Sequence, residues 1–221
     1  MSVLIVAFVC SLIFASLIVR YNHFHAYLTS DFDLSGVQKF HTIPVPRVGG
    51  VAIIFGITLA LLVRYFQNAE VGTFGLLLVV SAIPAFIFGL AEDLTKRVGV
   101  LIRLLATVSS AGLAGYFLNA WLSSVQIFGI DNLMLTFPFV AIAITCFAVG
   151  GVANSFNIID GYNGLSAMVA VIILSGITYV AFQVGDHAIM IAALAMIGGL
   201  LGFLVWNYPR GQSSLEMAVH I

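Results

Sequence analysis

Three short segments of this chain gather the side chains that could do chemistry. In Asn154-Ser155-Phe156-Asn157-Ile158-Ile159-Asp160-Gly161-Tyr162-Asn163-Gly164 the polar positions 154, 157 and 160 recur every third residue. On a helix they share one broad face, while Phe156, Ile158 and Ile159 point elsewhere. Gly161 and the Asn163-Gly164 pair then favour a break or turn. Two amides and a carboxylate therefore converge where a helix stops. Amides can donate to a phosphate or accept from a base or a metal-bound water. The plainer alternative is a polar hinge between two helices, but three polar groups desolvated beside lipid are costly without partners.

The second segment, Gly89-Leu90-Ala91-Glu92-Asp93-Leu94-Thr95-Lys96-Arg97, closes an apolar run with two adjacent carboxylates and two cations. Neighbouring carboxylates repel unless a cation sits between them. Magnesium takes hard oxygen ligands, usually one or two carboxylates plus substrate phosphates, so the pattern suits a metal–phosphate site. A charged helix end paired locally with Lys96 and Arg97 is the competing reading. The third segment runs from Gln38 to Gly50. Pro44 and Pro46 keep it extended, and Lys39, His41 and Arg47 bring donors suited to an anionic ligand. A basic loop serving only topology and lipid headgroups is equally consistent with those residue types. Asp31-Phe32-Asp33-Leu34-Ser35-Gly36 imitates the start of a calcium loop, but the twelfth position is Thr42 where a bidentate Glu is required.

The elements that must carry these segments are membrane spans. Of 221 residues, 62% are hydrophobic and only 8% charged, and the mean hydropathy is +1.15. Soluble domains average about 25% charged residues, so this surface must face lipid. The net charge of −1 gives no reason to expect a nucleic-acid partner. Cys10 and Cys146 both lie in apolar runs and read as packing residues. Hydropathy predicts seven spans of about 20 residues: Met1–Val19, Gly49–Phe66, Val71–Leu90, Val98–Leu118, Leu133–Val152, Gly164–Val184 and Ala188–Trp206. Backbone groups in lipid must be satisfied internally, so the spans are helices and the fold class is all-α. Met1–Val19 lacks a basic segment before its apolar run and reads as a first span, not a cleaved leader. Gly198 and Gly202 form a small-xxx-small pair for close helix packing.

Seven of the eight Lys and Arg residues agree on one orientation, with the N-terminus outside and the C-terminus cytoplasmic; Arg64 alone falls on the other side. That orientation puts all three segments on the cytoplasmic face. Glu70, Asp131 and Asp186 then fall in outer connections, as solvated loop residues.

Taken in order, the motifs His41-x-x-Pro44-x-Pro46-Arg47-x-Gly49-Gly50, Gly89-x-x-Glu92-Asp93 and Asn154-x-x-Asn157-x-x-Asp160-Gly161-x-Asn163-Gly164-Leu165 resemble those of the polyprenyl-phosphate N-acetylhexosamine-1-phosphate transferases, glycosyltransferase family 4. Trp206-Asn207-Tyr208-Pro209 looks like the Asn-x-Pro that follows the seventh helix there. The resemblance runs from about Asp31 to Arg210. It implies a multi-pass protein of the bacterial cytoplasmic membrane that transfers N-acetylhexosamine-1-phosphate from a UDP-sugar to undecaprenyl phosphate, releasing UMP, with magnesium as cofactor. It assigns Glu92, Asp93 and Asp160 to the catalytic region, with Asp93 and Asp160 at the metal. Lys39, His41, Arg47, Asn154, Asn157, Asn163 and Asn207 become substrate contacts. Two departures stand out: the family's first acid is usually Asp where this chain has Glu92, and Asn163 stands where a second Asp is common.

The chain thus reads as one membrane domain, residues 1–221, the N-terminal part of a larger transferase fold. Its expected partners are UDP-N-acetylhexosamine, polyprenyl phosphate and the bilayer, with a homodimer left open. Past Arg210-Gly211 the family pattern stops, and the expectation is an inactive fragment arising from a frameshift, a premature stop or a cloning boundary. A seven-helix transporter or channel is the alternative, and a receptor or non-catalytic scaffold a third. A transporter would need polar residues at mid-membrane depth along a path.

Overall fold

The computed structural model describes residues 1–21, 49–95, 98–159 and 162–208. Among the described residues there are helices and connections but no strand. In chain order the helices are α1 (Ser2–Arg20), α2 (Gly49–Gln67), α3 (Ala69–Thr95), α4 (Val100–Leu118), the short α5 (Ile130–Thr136), α6 (Pro138–Ile159), α7 (Leu165–Val184) and α8 (His187–Asn207). All but α5 are long and apolar enough to cross a bilayer. The all-α class and the seven spans expected from hydropathy are therefore present.

One span is displaced. The stretch expected as Leu133–Val152 splits: α5 ends at Thr136, Phe137 adopts an extended conformation (φ −127°, ψ 95°), and α6 begins at Pro138. A residue before proline is pushed out of the helical region, and proline is well placed at the first helical position, where its missing N–H costs nothing. Starting later, α6 continues to Ile159 and so takes Asn154 and Asn157 into its last turns.

Two of the acids expected as solvated loop residues also make local hydrogen bonds. Asp186 caps α8, accepting from the Ile189 N–H at 3.0 Å. Asp131, in the first turn of α5, accepts from the Val125 N–H at 2.8 Å and the Ser124 hydroxyl at 2.9 Å. Helix starts leave N–H groups open, and the Asp186 carboxylate satisfies one of them; Asp131 instead folds the preceding connection back onto the start of α5. Glu70 is exposed in the first turn of α3.

Helix α8 is the hub, packing on α1, α2, α3 and α7. Its Gly198 faces the Leu4 carbonyl and Gly202 the Phe8 carbonyl of α1, so closely that a Cβ at either would collide with backbone. This is the small-residue packing that lets backbones touch where lipid gives no hydrophobic drive. Across the same seam the Ser11 hydroxyl donates to the Gly199 carbonyl at 2.7 Å. Ala7, Ala60 and Ala195, all fully buried, fill the junction of α1, α2 and α8.

On the other flank α3 packs on α4 and α4 on α6. Pro84 interrupts α3, and the next N–H, of Ala85, donates to the Ser110 hydroxyl of α4 at 3.0 Å, a neighbouring-helix partner of the kind that lets a span tolerate proline. Helix α6 presents Gly150 to Leu104 and Val108 of α4, and its Thr145 hydroxyl accepts the Leu122 N–H at 3.0 Å.

Candidate active site

Residues of the second and third motifs meet at one end of the bundle. Glu92 lies in the last turns of α3, followed directly by Asp93. Arg103 lies in the first turn of α4, and Asn154 and Asn157 in the last turns of α6. The Arg103 guanidinium reaches across all three helices. Its Nη1 donates to Glu92 Oε1 at 2.9 Å and to Oε2 at 2.8 Å. With the amide turned so that donors face acceptors, Asn157 Oδ1 accepts from Arg103 Nη2 at 3.1 Å and Nη1 at 3.3 Å.

The pair is almost dry, with side-chain exposures of 12% for Arg103 and 6% for Glu92. Removing two charges from water is expensive, and attraction offsets it only with close geometry and further hydrogen bonds. The bonds to both carboxylate oxygens and to the Asn157 amide supply that geometry. Beside the guanidinium a recess of about 40 Å³ is lined by Arg103, Thr107, Gly150, Asn154 and Asn157, with Val100 and Leu104 as its apolar wall. It is a foothold for one polar group, not an enclosure for a nucleotide sugar.

The other expected residues are distributed as follows. Asp93 is half-buried, one position beyond Glu92. Asn163 is half-buried in the turn before α7, where Gly164 adopts φ +78° as the N-cap. Asn207, the last residue of α8, is buried. Gly164 lies against Leu204 and Tyr208, so the third motif's turn abuts the end of α8, yet Asn163 and Asn207 do not line the recess. Lys39, His41, Arg47 and Asp160 lie outside the described residues, as do Lys96 and Arg97. The expected convergence of Asp160 with the acid pair falls there too.

Sequence reasoning missed Arg103, which it counted only as an orienting charge. The signal was available: Arg103 is a lone cation one turn inside an apolar span, and such a residue is a site candidate by default with a partner to be sought.

Among the described residues no three His, Cys, Asp or Glu side chains cluster as a metal cage. The donor chemistry fits magnesium in its usual manner, in which one or two carboxylates share the ion with water and substrate phosphate. Glu92 and Asp93 are the carboxylates described at this end of the bundle, with both oxygens of Glu92 held by Arg103.

Residues 74–213 match glycosyl transferase family 4, and the chain belongs to that family. Over 210 residues it is 29% identical to a probable undecaprenyl-phosphate N-acetylglucosaminyl 1-phosphate transferase of Bacillus subtilis (strain 168), covering 93% of this chain and 56% of that protein. It is 25% identical over 177 residues to an undecaprenyl-phosphate α-N-acetylglucosaminyl 1-phosphate transferase of Yersinia pestis, covering 79% and 46%. It is 31% identical over 176 residues to a phospho-N-acetylmuramoyl-pentapeptide-transferase of Geobacillus sp. (strain WCH70), covering 73% and 52%. The chain thus spans about half the length of these relatives. With seven helices able to cross a bilayer, it is a multi-pass membrane protein.

Proposed function

We propose that this chain carries part of the site at which a polyprenyl phosphate, undecaprenyl phosphate by analogy with the relatives, takes N-acetylhexosamine-1-phosphate from a UDP-sugar. A phosphate oxygen of the lipid attacks the phosphorus that bears the sugar. The bond from that phosphorus to the bridging oxygen breaks, UMP leaves with the electron pair, and a lipid-diphosphate sugar remains. The observation that carries this reading is the Arg103 bridge, which joins Glu92 of the second motif to Asn157 of the third across three helices. That contact brings two distant segments together at one end of the bundle, which supports a reaction run by positioning and electrostatics.

In this reading Asn154 and Asn157 present amides to the substrate from the end of α6, with Asn163 and Asn207 contributing from the adjoining turn and helix end. Lys39, His41 and Arg47 supply donors for phosphate. Asp93 and Asp160 hold magnesium, which when bound neutralises diphosphate charge. Glu92 holds Arg103 in place through both carboxylate oxygens. The site faces the cytoplasm of a bacterium, in agreement with the distribution of basic residues.

The test is Asp93→Asn in a protein carrying all of these motifs, assayed for magnesium-dependent UMP release from UDP-N-acetylhexosamines with undecaprenyl phosphate. Loss of one charged group from such a site should cost about 10²–10³ in rate, with membrane insertion unaffected. Unchanged turnover would remove Asp93 from the site, and UMP release independent of the lipid phosphate would remove the reaction.

A further inference from the structure

The connection between α4 and α6, residues 119–137, lies at the end of the bundle opposite the Arg103 cluster and takes no part in the proposed chemistry. It carries one charged residue, Asp131, yet it has a defined shape. Asn119 ends α4 in the left-handed region (φ 52°). Trp121 then folds back over Gly115, where any Cβ would meet the indole. The Leu122 N–H is tied to Thr145 of α6. Asp131 gathers the Val125 N–H and the Ser124 hydroxyl, and the same hydroxyl accepts the Gln126 N–H at 3.2 Å. Gly129, at φ +85°, turns the chain into α5.

This clamp holds apolar side chains outward. Phe128 is fully exposed (102%), Leu135 is 76% exposed, and Ile127 and Leu133 are about half exposed, while Met134 is tucked inside. Ser123, Ser124, Gln126 and Asn132 are exposed as well, so the connection presents polar groups beside the apolar ones, as a segment at headgroup level would. Exposed aromatic residues also flank the connection in the spans on either side, Tyr116 and Phe117 of α4 and Phe139 of α6, with no charged residue between 116 and 139 other than Asp131. Aromatic residues at the ends of spans sit at headgroup level.

We infer that the 119–137 connection is a lipid anchor: Ile127, Phe128 and the outer face of α5 dip into the acyl–headgroup boundary of the leaflet at that end. The occupant is lipid because the patch adjoins the ends of two helices able to cross a bilayer, α4 and α6, at the level where they leave it. Asp131 suits the boundary, because the Val125 N–H, opposed by partial burial and aided by Ser124 and Gln126, holds its carboxyl below the usual carboxylate range. Each of its oxygens accepts one of these hydrogen bonds, while its neighbours turn to the acyl region, as in an interfacial helix.

The experiment places a bimane label at Phe128→Cys in a background with Cys10 and Cys146 replaced by alanine, in phosphatidylcholine vesicles with and without brominated acyl chains. Phe128 touches nothing that folding needs, so the variant should insert normally. Phe147→Cys, 82% exposed in the middle of α6, marks full lipid contact, and Glu70→Cys marks the aqueous end. Quenching at position 128 by bromolipid, to at least half that at 147, supports the anchor. Quenching by aqueous iodide to the level at position 70, without bromolipid quenching, overturns it. A blue-shifted label quenched by neither would show protein cover, by a second copy or another chain, and overturns it as well. None of these outcomes depends on transferase activity.

Discussion

Two flanks of this bundle solve the membrane packing problem differently. Where α8 meets α1 and α2, glycine and alanine let backbones touch, and a serine hydroxyl bonds across the seam. Where α3, α4 and α6 meet at their ends, the contact is instead a guanidinium shared between a carboxylate and an amide. The apolar span of α8 is 50% buried and that of α6 only 11%. The first flank draws its stability from dispersion over a large close surface. The second concentrates interaction in a few charged atoms, which stabilises little overall but fixes direction. A site that must hold phosphates at set positions belongs on the second kind of flank.

The largest effect should come from breaking the charged junction. Arg103→Met leaves Glu92 buried with its countercharge gone, and removing one partner of a buried pair costs about 3–5 kcal/mol. Thermal unfolding in detergent should show that loss, and Arg103→Met combined with Glu92→Gln should recover much of it. If the double variant were no more stable than the single one, Arg103 would be acting through something other than Glu92. Next comes the small-residue seam. Gly198→Ala places a methyl group against the Leu4 carbonyl, where backbone must move, and overpacking of this kind costs about 1–3 kcal/mol. A smaller loss, about 0.6 kcal/mol by the average for hydrogen bonds between spans, is expected for Ser11→Ala, which removes the bond to Gly199. The order of these three changes, read from one unfolding series, tests whether the charged flank is the more brittle.

How much of this could be read from the amino acids differs between the flanks for the same physical reason. Lipid-facing length and hydropathy mark a span wherever it lies, so all seven were legible, and so was the Gly198–Gly202 seam. Hydropathy does not mark edges inside a continuous apolar run. From Leu133 to Val152 nearly every residue is apolar, and the boundary is set by one local steric rule at Phe137-Pro138. The motif residues Glu92, Asn154 and Asn157 stood out because polar groups are rare here. Their connector did not, because charge counting treats Arg103 as one vote for topology, whereas its role depends on two helices meeting its own. For Asp131 and Asp186 polarity announced an exposed connection but not their partners: Asp186 caps a helix start, and Asp131 ties the Val125 N–H of the preceding connection.

The one predicted gain in stability sharpens the comparison most. Gly151 lies in α6 one residue from Gly150, yet a Cβ built there has nothing within 4 Å. A glycine inside a helix costs about 0.5–1 kcal/mol relative to alanine, because the unfolded chain loses more freedom on ordering. With no neighbour to collide with, Gly151→Ala should therefore stabilise the chain slightly, by up to that amount, where Gly198→Ala destabilises it. The same substitution in two helices would then have opposite signs, decided only by what lies across the interface. Differential unfolding of the two variants beside the parent is sufficient to read those signs. A loss of more than about 1 kcal/mol at Gly151, a size typical of overpacking, would show that something packs closely on that face of α6. The contrast between a tight flank and an open one would then be wrong at the helix that carries Asn154 and Asn157.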